Sequence, residues 1–139
     1  MRLSFQQFLV LALLPLIGMM ACDFPVPPDG GATATEIPDL SSATVRTGEL
    51  TDSDGTRDNG AKADEVAKVT VPPGATLHVL MESSAFDTYL LVRVEGSPQT
   101  FFNDDWQGSR QRSFVSQTNT TGAPLSATLV ASGYAAANR

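Results

Sequence analysis

Several residue types that build common sites are scarce in this chain. Among 139 residues there is one cysteine, Cys22, and one histidine, His78. A single thiol cannot form an intramolecular disulfide, and one His with one Cys supplies too few ligands for zinc. Lys and Arg number nine against fifteen Asp and Glu, for a net charge of −6. Such a surface repels phosphate backbones, so no nucleic-acid partner is expected.

Cys22 stands at the end of the longest apolar run. Arg2 gives a short cationic start, residues 8–20 are mostly apolar, and the small Ala21 precedes the cysteine. These are the three parts of an export signal. The Ala21-Cys22 pair resembles the lipobox of bacterial lipoprotein signal peptides, with Met19 and Met20 where that family has an aliphatic and a small residue.

This resemblance implies a signal peptide at residues 1–21 and acylation of Cys22 by palmitate-type chains. The protein would then be lipid-anchored to the bacterial cell envelope, facing the periplasm or the exterior. A retained membrane helix is disfavoured, because Gln6, Gln7 and Asp23 leave fewer than the ~20 apolar residues required. A secreted, unanchored product is the alternative, although Met19 is a poor third-last residue before a cut. A core helix with a buried thiol is a further interpretation.

The rest of the chain divides into a spacer and one domain. Residues 22–44 are rich in Pro and Gly, which predicts a disordered tether. From residue 45 onward apolar residues recur with a period of two, which predicts strands and no helix. We expect strands at residues 45–50, 66–71, 76–81, 86–94, 99–102, 112–118 and 125–131. Residues 45–139 are therefore predicted to form an all-β, antiparallel β-sandwich of jelly-roll-like type.

A specific motif pair lies within these strands. Phe86-Asp87-Thr88-Tyr89-Leu90 is followed by Asn103-Asp104-Asp105, after an earlier Asp64-Glu65 and Pro72-Pro73-Gly74. With Ser109 to Phe114 and Thr121-Gly122, this order resembles the bacterial pre-peptidase C-terminal (PPC) domain. The resemblance implies a non-catalytic accessory or binding module. Some relatives bind calcium, and some bind protein fibres.

One departure from that family changes the expected function. A final strand of the Gly-Tyr-x-Leu kind is expected beyond Arg139, so either the chain is truncated or a sheet edge is unpaired and must be covered. Two alternatives to a stand-alone module follow. The chain could be a piece of a secreted protease or other exported hydrolase, or an inhibitor or chaperone-like protein that docks by strand addition.

Acidic side chains supply the candidate metal ligands. Calcium takes six to eight oxygen ligands, and the candidates are the carboxylates of Asp52, Asp54, Asp64, Asp87, Asp104 and Asp105. Solvated turns are the alternative interpretation, since Asp and Asn bond their own backbone in turns. An aspartate within a strand needs hydrogen-bond donors. We therefore expect Asp87 and Asn103 to form a structural clamp between strand and turn.

Catalytic and partner-binding residues are sparse. His78 lies in an apolar strand without a nucleophile motif, so a half-buried structural role is expected and the chain is predicted not to be an enzyme. Trp106 follows two aspartates in a loop and is the candidate anchor for a partner. That partner is expected to be a protein or polymer of the envelope, with the membrane contacted through the lipid on Cys22.

Overall fold

The computed structural model of the protein describes residues 3–10, 14–15 and 37–135. Within these ranges the regular elements are ten strands: β1 (Leu3–Val10), β2 (Leu14–Pro15), β3 (Thr44–Leu50), β4 (Gly55–Thr56), β5 (Lys62–Val71), β6 (Ala75–Glu82), β7 (Thr88–Val94), β8 (Thr100–Asn103), β9 (Arg112–Thr118) and β10 (Leu125–Gly133). None of the described residues belongs to a helix that could span a membrane.

The strands form two antiparallel sheets. In the first sheet β9 pairs with one edge of β6, and β1 and β2 pair with its other edge. β3 pairs with the far edge of β1. The second sheet has the order β4, β5, β10, β7, β8. This architecture confirms the predicted all-β, antiparallel class and is compatible with a sandwich.

One apolar core contains side chains from both sheets. Alternate residues of a strand point to opposite faces, so a strand with apolar residues at every second position buries one face. Leu77, Val79 and Met81 of β6 are at most 1% exposed, and they join Leu90 and Val92 of β7 in a single buried cluster. Burying each such side chain contributes about 1.5–3 kcal/mol, so this shared face holds the sheets together.

Most connections carry the chain from one sheet to the other. Among the described strands only β4 with β5 and β7 with β8 pair with their neighbour in sequence. The turn from β5 to β6 crosses between the sheets at Pro72-Pro73-Gly74. Gly74 has φ +74°, a conformation in which a side chain is strained. Its N–H donates to the carbonyl of Asn119 at 2.8 Å, which joins this turn to the loop after β9.

The observed strands agree with those predicted from residue 45 onward, with small shifts at their ends. The strand predicted from residue 86 begins at Thr88, and the strand predicted from residue 66 begins earlier, at Lys62. Cys22 and the first part of the predicted tether lie outside the described residues, whereas residues 37–43 precede β3 without forming a strand.

The elements that were not predicted are the two-residue β4 and, inside the predicted signal peptide, β1 and β2. Cleavage before Cys22 stays a prediction. The backbone of Leu3–Val10 lies between β3 and β6 and is antiparallel to both. A segment that sequence analysis assigned to export thus completes a sheet.

Asn119 is the most connected buried polar side chain of the described loops. It is 1% exposed, and its Nδ2 donates to the carbonyls of Val71 at 2.8 Å and Ala123 at 2.9 Å. Its Oδ1 accepts from the backbone N–H and the hydroxyl of Thr121, at 2.9 and 2.7 Å. Every hydrogen of the amide is used, so the formal Asn-Thr-Thr glycosylation sequon is a structural loop in the folded chain.

We expect Asn119→Asp to lower the free energy of unfolding by roughly 2–4 kcal/mol, because a carboxylate would face two buried carbonyls without a hydrogen to donate. Denaturant unfolding at neutral pH measures this loss. The control is Asn59→Asp, which removes a single exposed bond to the Tyr134 carbonyl and should cost less than about 1 kcal/mol. Equal losses in the two variants would contradict the role assigned to Asn119.

Candidate binding site at the acidic turn and the aromatic patch

Asp87 lies directly before β7 rather than within a strand, which corrects the expectation for this residue. Its side chain is 18% exposed, and its Oδ1 is buried without a hydrogen-bond partner. Its Oδ2 lies 4.0 Å from Nε of Arg110, whose side chain is 80% exposed. An ion pair with a solvated partner at this distance is weak. Asp87 is therefore a half-buried carboxylate that its neighbours only partly satisfy.

The acidic turn, residues 103–105, forms hydrogen bonds to β9. Asn103 Oδ1 accepts from the N–H of Phe114 at 3.0 Å, which joins β8 to β9 across the two sheets. The Ser113 hydroxyl donates to the Asp104 carbonyl at 3.0 Å, and Asp104 Oδ1 accepts from the N–H of Asp105 at 3.0 Å. The clamp expected between Asp87 and Asn103 is not observed, because none of these donors reaches Asp87 Oδ1. Asn103 clamps β9 instead.

A buried hydroxyl pair fixes the same corner of the molecule. Thr88 Oγ1 and Ser113 Oγ are 2.8 Å apart, and both residues have no exposed surface. The N–H of Thr88 also donates to the carbonyl of Arg110 at 2.8 Å. These bonds hold the first residue of β7 against the loop before β9, so Asp87 is held beside the acidic turn.

Charge around Asp87 favours its neutral form. Burial raises the pKa of this carboxyl above its ordinary value, and Asp105 raises it further. The Arg110 guanidinium acts in the opposite direction, and Asp104 adds a smaller increase. Three acidic side chains therefore share one corner, but among the described residues no three His, Cys, Asp or Glu side chains converge as metal ligands do. Calcium binding here stays a prediction.

The second acidic loop, residues 52–59, is held by a lysine. Nζ of Lys62 donates to the carbonyls of Asp52 at 2.7 Å and Asp54 at 3.3 Å. The Asp54 carboxylate accepts from the N–H of Thr51. Burial raises the pKa of Asp64, and the nearby Asp54 adds to this increase. An ammonium group thus occupies the carbonyl oxygens that a cation would use, which supports the solvated-turn interpretation of this loop.

An exposed aromatic patch lies beside the acidic turn. We define the aromatic patch as Tyr89, Phe102 and Tyr134 with the guanidinium of Arg57. The rings of Tyr89 and Phe102 stack with centroids 5.5 Å apart, and the Tyr134 ring is 6.2 Å from that of Tyr89. The Arg57 guanidinium lies 3.5 Å from the centre of the Tyr89 ring. Phe102 and Tyr134 are 38% and 48% exposed.

Side-chain hydrogen bonds to the backbone at the end of β10 hold the patch in place. Arg57 Nη1 donates to the Gly133 carbonyl at 3.1 Å, and Asn59 Nδ2 donates to the Tyr134 carbonyl at 2.8 Å. The N–H of Tyr134 donates to the Asp87 carbonyl at 2.9 Å, which places the patch and the acidic turn at one end of the second sheet. Burial raises the pKa of the Tyr89 hydroxyl, whereas Arg57 lowers it. Tyr89 therefore stays neutral at physiological pH.

Trp106, the predicted partner anchor, has a packing contact instead. It is half-buried, and its ring meets Phe114 edge-on at a centroid distance of 5.9 Å. Phe114 is only 4% exposed. Its neighbour Val115 points into the core, so Phe114 points to the opposite face of the sheet. Trp106 thus contacts a second apolar layer on the outer face of the first sheet. The exposed aromatic side chains of this end are Phe102 and Tyr134.

Sequence reasoning missed this patch because its members are far apart in the chain. Residues 57, 89, 102 and 134 come from two loops and two strands. The available signal was Tyr89, which the strand pattern placed on the face opposite Thr88 and Leu90. An aromatic ring on the non-core face of a strand indicates a covered or binding surface. Identifying the other members requires the pairing of β7 with β8 and β10.

A pocket that opens to solvent lies at the opposite end of the molecule, where the exposed Thr120 and Thr121 form part of its rim. It has a volume of about 150 Å³ and lies between the sheets, where Leu77, Val92, Phe101 and Asn119 contribute to its walls. Asn119 is the buried polar side chain among these four, and its bonds are already made to the chain itself. The functional candidates therefore remain at the acidic end.

Comparison with protein-family models finds no match for this chain, and comparisons with curated proteins and with solved structures find none either. The resemblance to the PPC domain therefore stays a prediction that depends on the motifs quoted above.

We expect Asp87→Asn to raise the melting temperature at pH 7 in the presence of a chelator, with a gain of the order of 1 kcal/mol in the free energy of unfolding. The folded pKa of Asp87 is raised, so its contribution to stability is present below the unfolded pKa and is lost as the pH rises through the folded pKa. The two proteins should converge near pH 3. Thermal melts between pH 3 and 8 measure the difference.

The same melts check the calcium prediction. Calcium bound at the acidic turn would raise the melting temperature of the wild type and leave that of Asp87→Asn unchanged, whereas identical wild-type melts in calcium and chelator would reject the site. Asp58→Asn is the matched control, because Asp58 is exposed in the second acidic loop. If this control reproduced the gain of Asp87→Asn, the gain would come from net charge and not from the corner around Asp87.

Proposed function

We propose that the protein is an envelope-anchored bacterial lipoprotein that carries a non-catalytic binding module of PPC-like type. The anchor is the acylated thiol of Cys22, and the binding surface is the aromatic patch. The partner is a protein or polymer of the envelope. The exposed Phe102 and Tyr134 rings, held beside Arg57, are the observation that carries this proposal.

The composition of the patch supports a binding role. Exposed contiguous aromatic surface costs solvation free energy unless a partner covers it. Tyr and Arg are also residue types that dominate binding energy at interfaces. Tyr buries a large area with few rotatable bonds, and Arg presents a planar fork of hydrogen-bond donors. Bonds to Gly133 and Tyr134 hold the patch in place, so it loses little conformational freedom on binding. Neighbouring carboxylates at Asp87 and Asp104 favour a partner that is neutral or basic.

The surroundings of His78 support a module without catalysis. Its Nδ1 lies 3.0 Å from the hydroxyl of Ser116, directly across from it on β9. The ring stacks on Phe114 at a centroid distance of 6.1 Å, and burial lowers its pKa. A cross-strand hydroxyl bond satisfies the neutral ring. Among the described residues no carboxylate hydrogen-bonds to this imidazole, so the third member of a triad is lacking.

We expect the membrane-extracted protein to begin at an acylated Cys22. Each buried methylene contributes about 0.8 kcal/mol to membrane binding, so two or more acyl chains would anchor the protein stably. Intact-mass analysis measures the product, and Cys22→Ala should abolish both the acyl mass and membrane association. A wild-type product that starts at Asp23 or retains Met1 would exclude the lipoprotein.

We expect a photo-crosslinking residue placed at Phe102 to capture a defined envelope partner in intact cells. Adding Tyr134→Ala should lower the yield at least about tenfold, the loss that corresponds to 1.4 kcal/mol of binding free energy. Crosslinked products are quantified by immunoblot and identified by mass spectrometry. The melting temperature of each variant is measured in parallel, so that a loss of folding is not mistaken for a loss of binding.

The matched control places the same crosslinking residue at Thr120, which is exposed in the loop after β9 at the opposite end of the molecule. If both positions captured the same products in equal yield, the patch would have no special role in binding. Absence of any product at position 102 in stably folded protein would likewise count against the aromatic patch.

A further inference from the structure

The position of β1 has a consequence for the processed chain. β1 is an interior strand, with β3 on one edge and β6 on the other. On the β6 side, Val10 is registered opposite Val79, and Phe8 opposite Met81. On the β3 side the pairing extends from Leu3 opposite Leu50 to Val10 opposite Thr44. Cleavage before Cys22 would remove this strand and β2 together.

Loss of β1 would uncover one edge of β6. Val79 and Met81 are completely buried in the core, and Leu80 between them is 7% exposed. The backbone N–H and C=O groups of a strand point within the plane of the sheet, so those on this edge would lose their protein partners and become a template for another strand. β9 pairs only with the other edge of β6.

β3 would lose its strand partner as well. Among the described strands β3 pairs with β1 and with no other. Its residues 44–47 are exposed, while Leu50 at its end is 2% exposed and belongs to the core cluster. Two strand spacings, ~9.6 Å, separate β3 from β6. Leu50 holds the end of β3 in the core, so the gap cannot close without moving a core residue.

We propose that the mature protein has a strand-acceptor slot between β3 and β6, which binds one extended, apolar segment of an exported partner polypeptide antiparallel to both strands. This inference rests on the proposed function, because cleavage before Cys22 opens the slot. Strand addition uses main-chain hydrogen bonds for affinity and side-chain positions for selectivity. β1 shows which backbone path such a segment follows.

The neighbours of the slot define the chemistry of the segment. Opposite positions on paired antiparallel strands share a face, so the positions facing Val79 and Met81 must be apolar to complete the core. The position facing Leu80 must also be apolar, because Leu80 is buried on the other face. The next position faces Glu82, whose Oε1 is already 2.6 Å from Nε of Arg112, so an uncharged polar residue fits there. The segment is thus one polar residue followed by three apolar ones.

A second copy of the chain is a poor occupant. The full chain has a net charge of −6, and removal of residues 1–21 takes away Arg2, which leaves −7 on each copy. Two copies therefore repel each other. Of the described strands that remain after cleavage, β6, β7 and β10 have three consecutive buried apolar residues. β7 and β10 are internal to the second sheet, and β6 is itself one wall of the slot. The segment is therefore expected to come from another exported polypeptide.

The test uses the lipidated protein purified from membranes in detergent, whose start at Cys22 is first verified by mass. The probe is a synthetic peptide of the sequence Leu-Ser-Phe-Gln-Gln-Phe-Leu-Val, with two lysines appended for solubility. At a concentration about 100-fold above its dissociation constant, we expect a rise of at least about 5 °C in melting temperature. Amide hydrogen exchange should slow at least tenfold at those residues of Val79 to Glu82 whose N–H points into the slot, and not at those whose N–H bonds β9.

The control peptide carries Asp at the position of Phe8, opposite Met81, and should bind at least tenfold more weakly, since it would bury a charge against the core. If the amides of Val79 to Glu82 that point into the slot are already protected without peptide and the melting temperature does not move, β3 has closed onto β6 and the inference is overturned. Equal binding of both peptides would overturn it too. A mass that retains residues 1–21 would instead reject the proposed function and, with it, an open slot.

Discussion

The backbone of β6 needs a partner strand on both edges, and the rest of the structure depends on this requirement. Leu77, Val79, Leu80 and Met81 are all buried, so both faces of the strand are covered by protein. Without a strand on that edge its N–H and C=O groups would lose their protein partners, and each group that water did not reach would cost about 1–3 kcal/mol. β9 satisfies one edge along its whole length. The other edge is satisfied by the segment of the chain that is least expected to remain in the mature protein.

The two ends of the second sheet satisfy their polar groups differently. At the end near Gly74, Asn119 makes four side-chain hydrogen bonds and fixes two loops. At the other end Thr88 and Ser113 are paired, but Asp87 Oδ1 has no partner. A fully satisfied network stabilises a fold, whereas an unsatisfied carboxylate beside exposed aromatic rings costs stability. Sites of this kind are commonly functional.

Much of the fold could be predicted from the sequence, because alternation is a local signal. Leu77, Val79 and Met81 share a face as their spacing predicts, and the strand from Arg112 to Thr118 has the expected ends. The environment of Asp87 could not be predicted, since it depends on which loops the crossing connections bring together. The aromatic patch was missed for the same reason. The segment Leu3–Val10 was interpreted by its hydrophobicity alone, and that signal does not distinguish an export sequence from a buried strand.

The two surfaces proposed here lie on different sheets, and this separation has a mechanical consequence. The aromatic patch is built on β7, β8 and the end of β10, whereas the slot lies between β3 and β6. They are connected through the core cluster, to which β6 and β7 both contribute, and through the Asn103–Phe114 hydrogen bond between β8 and β9. A strand added beside Val79 and Met81 would rigidify β6 and, through Leu90 and Val92, the sheet that carries the patch. Occupation of the slot would therefore favour binding at the patch by lowering the conformational entropy that this second event has to remove.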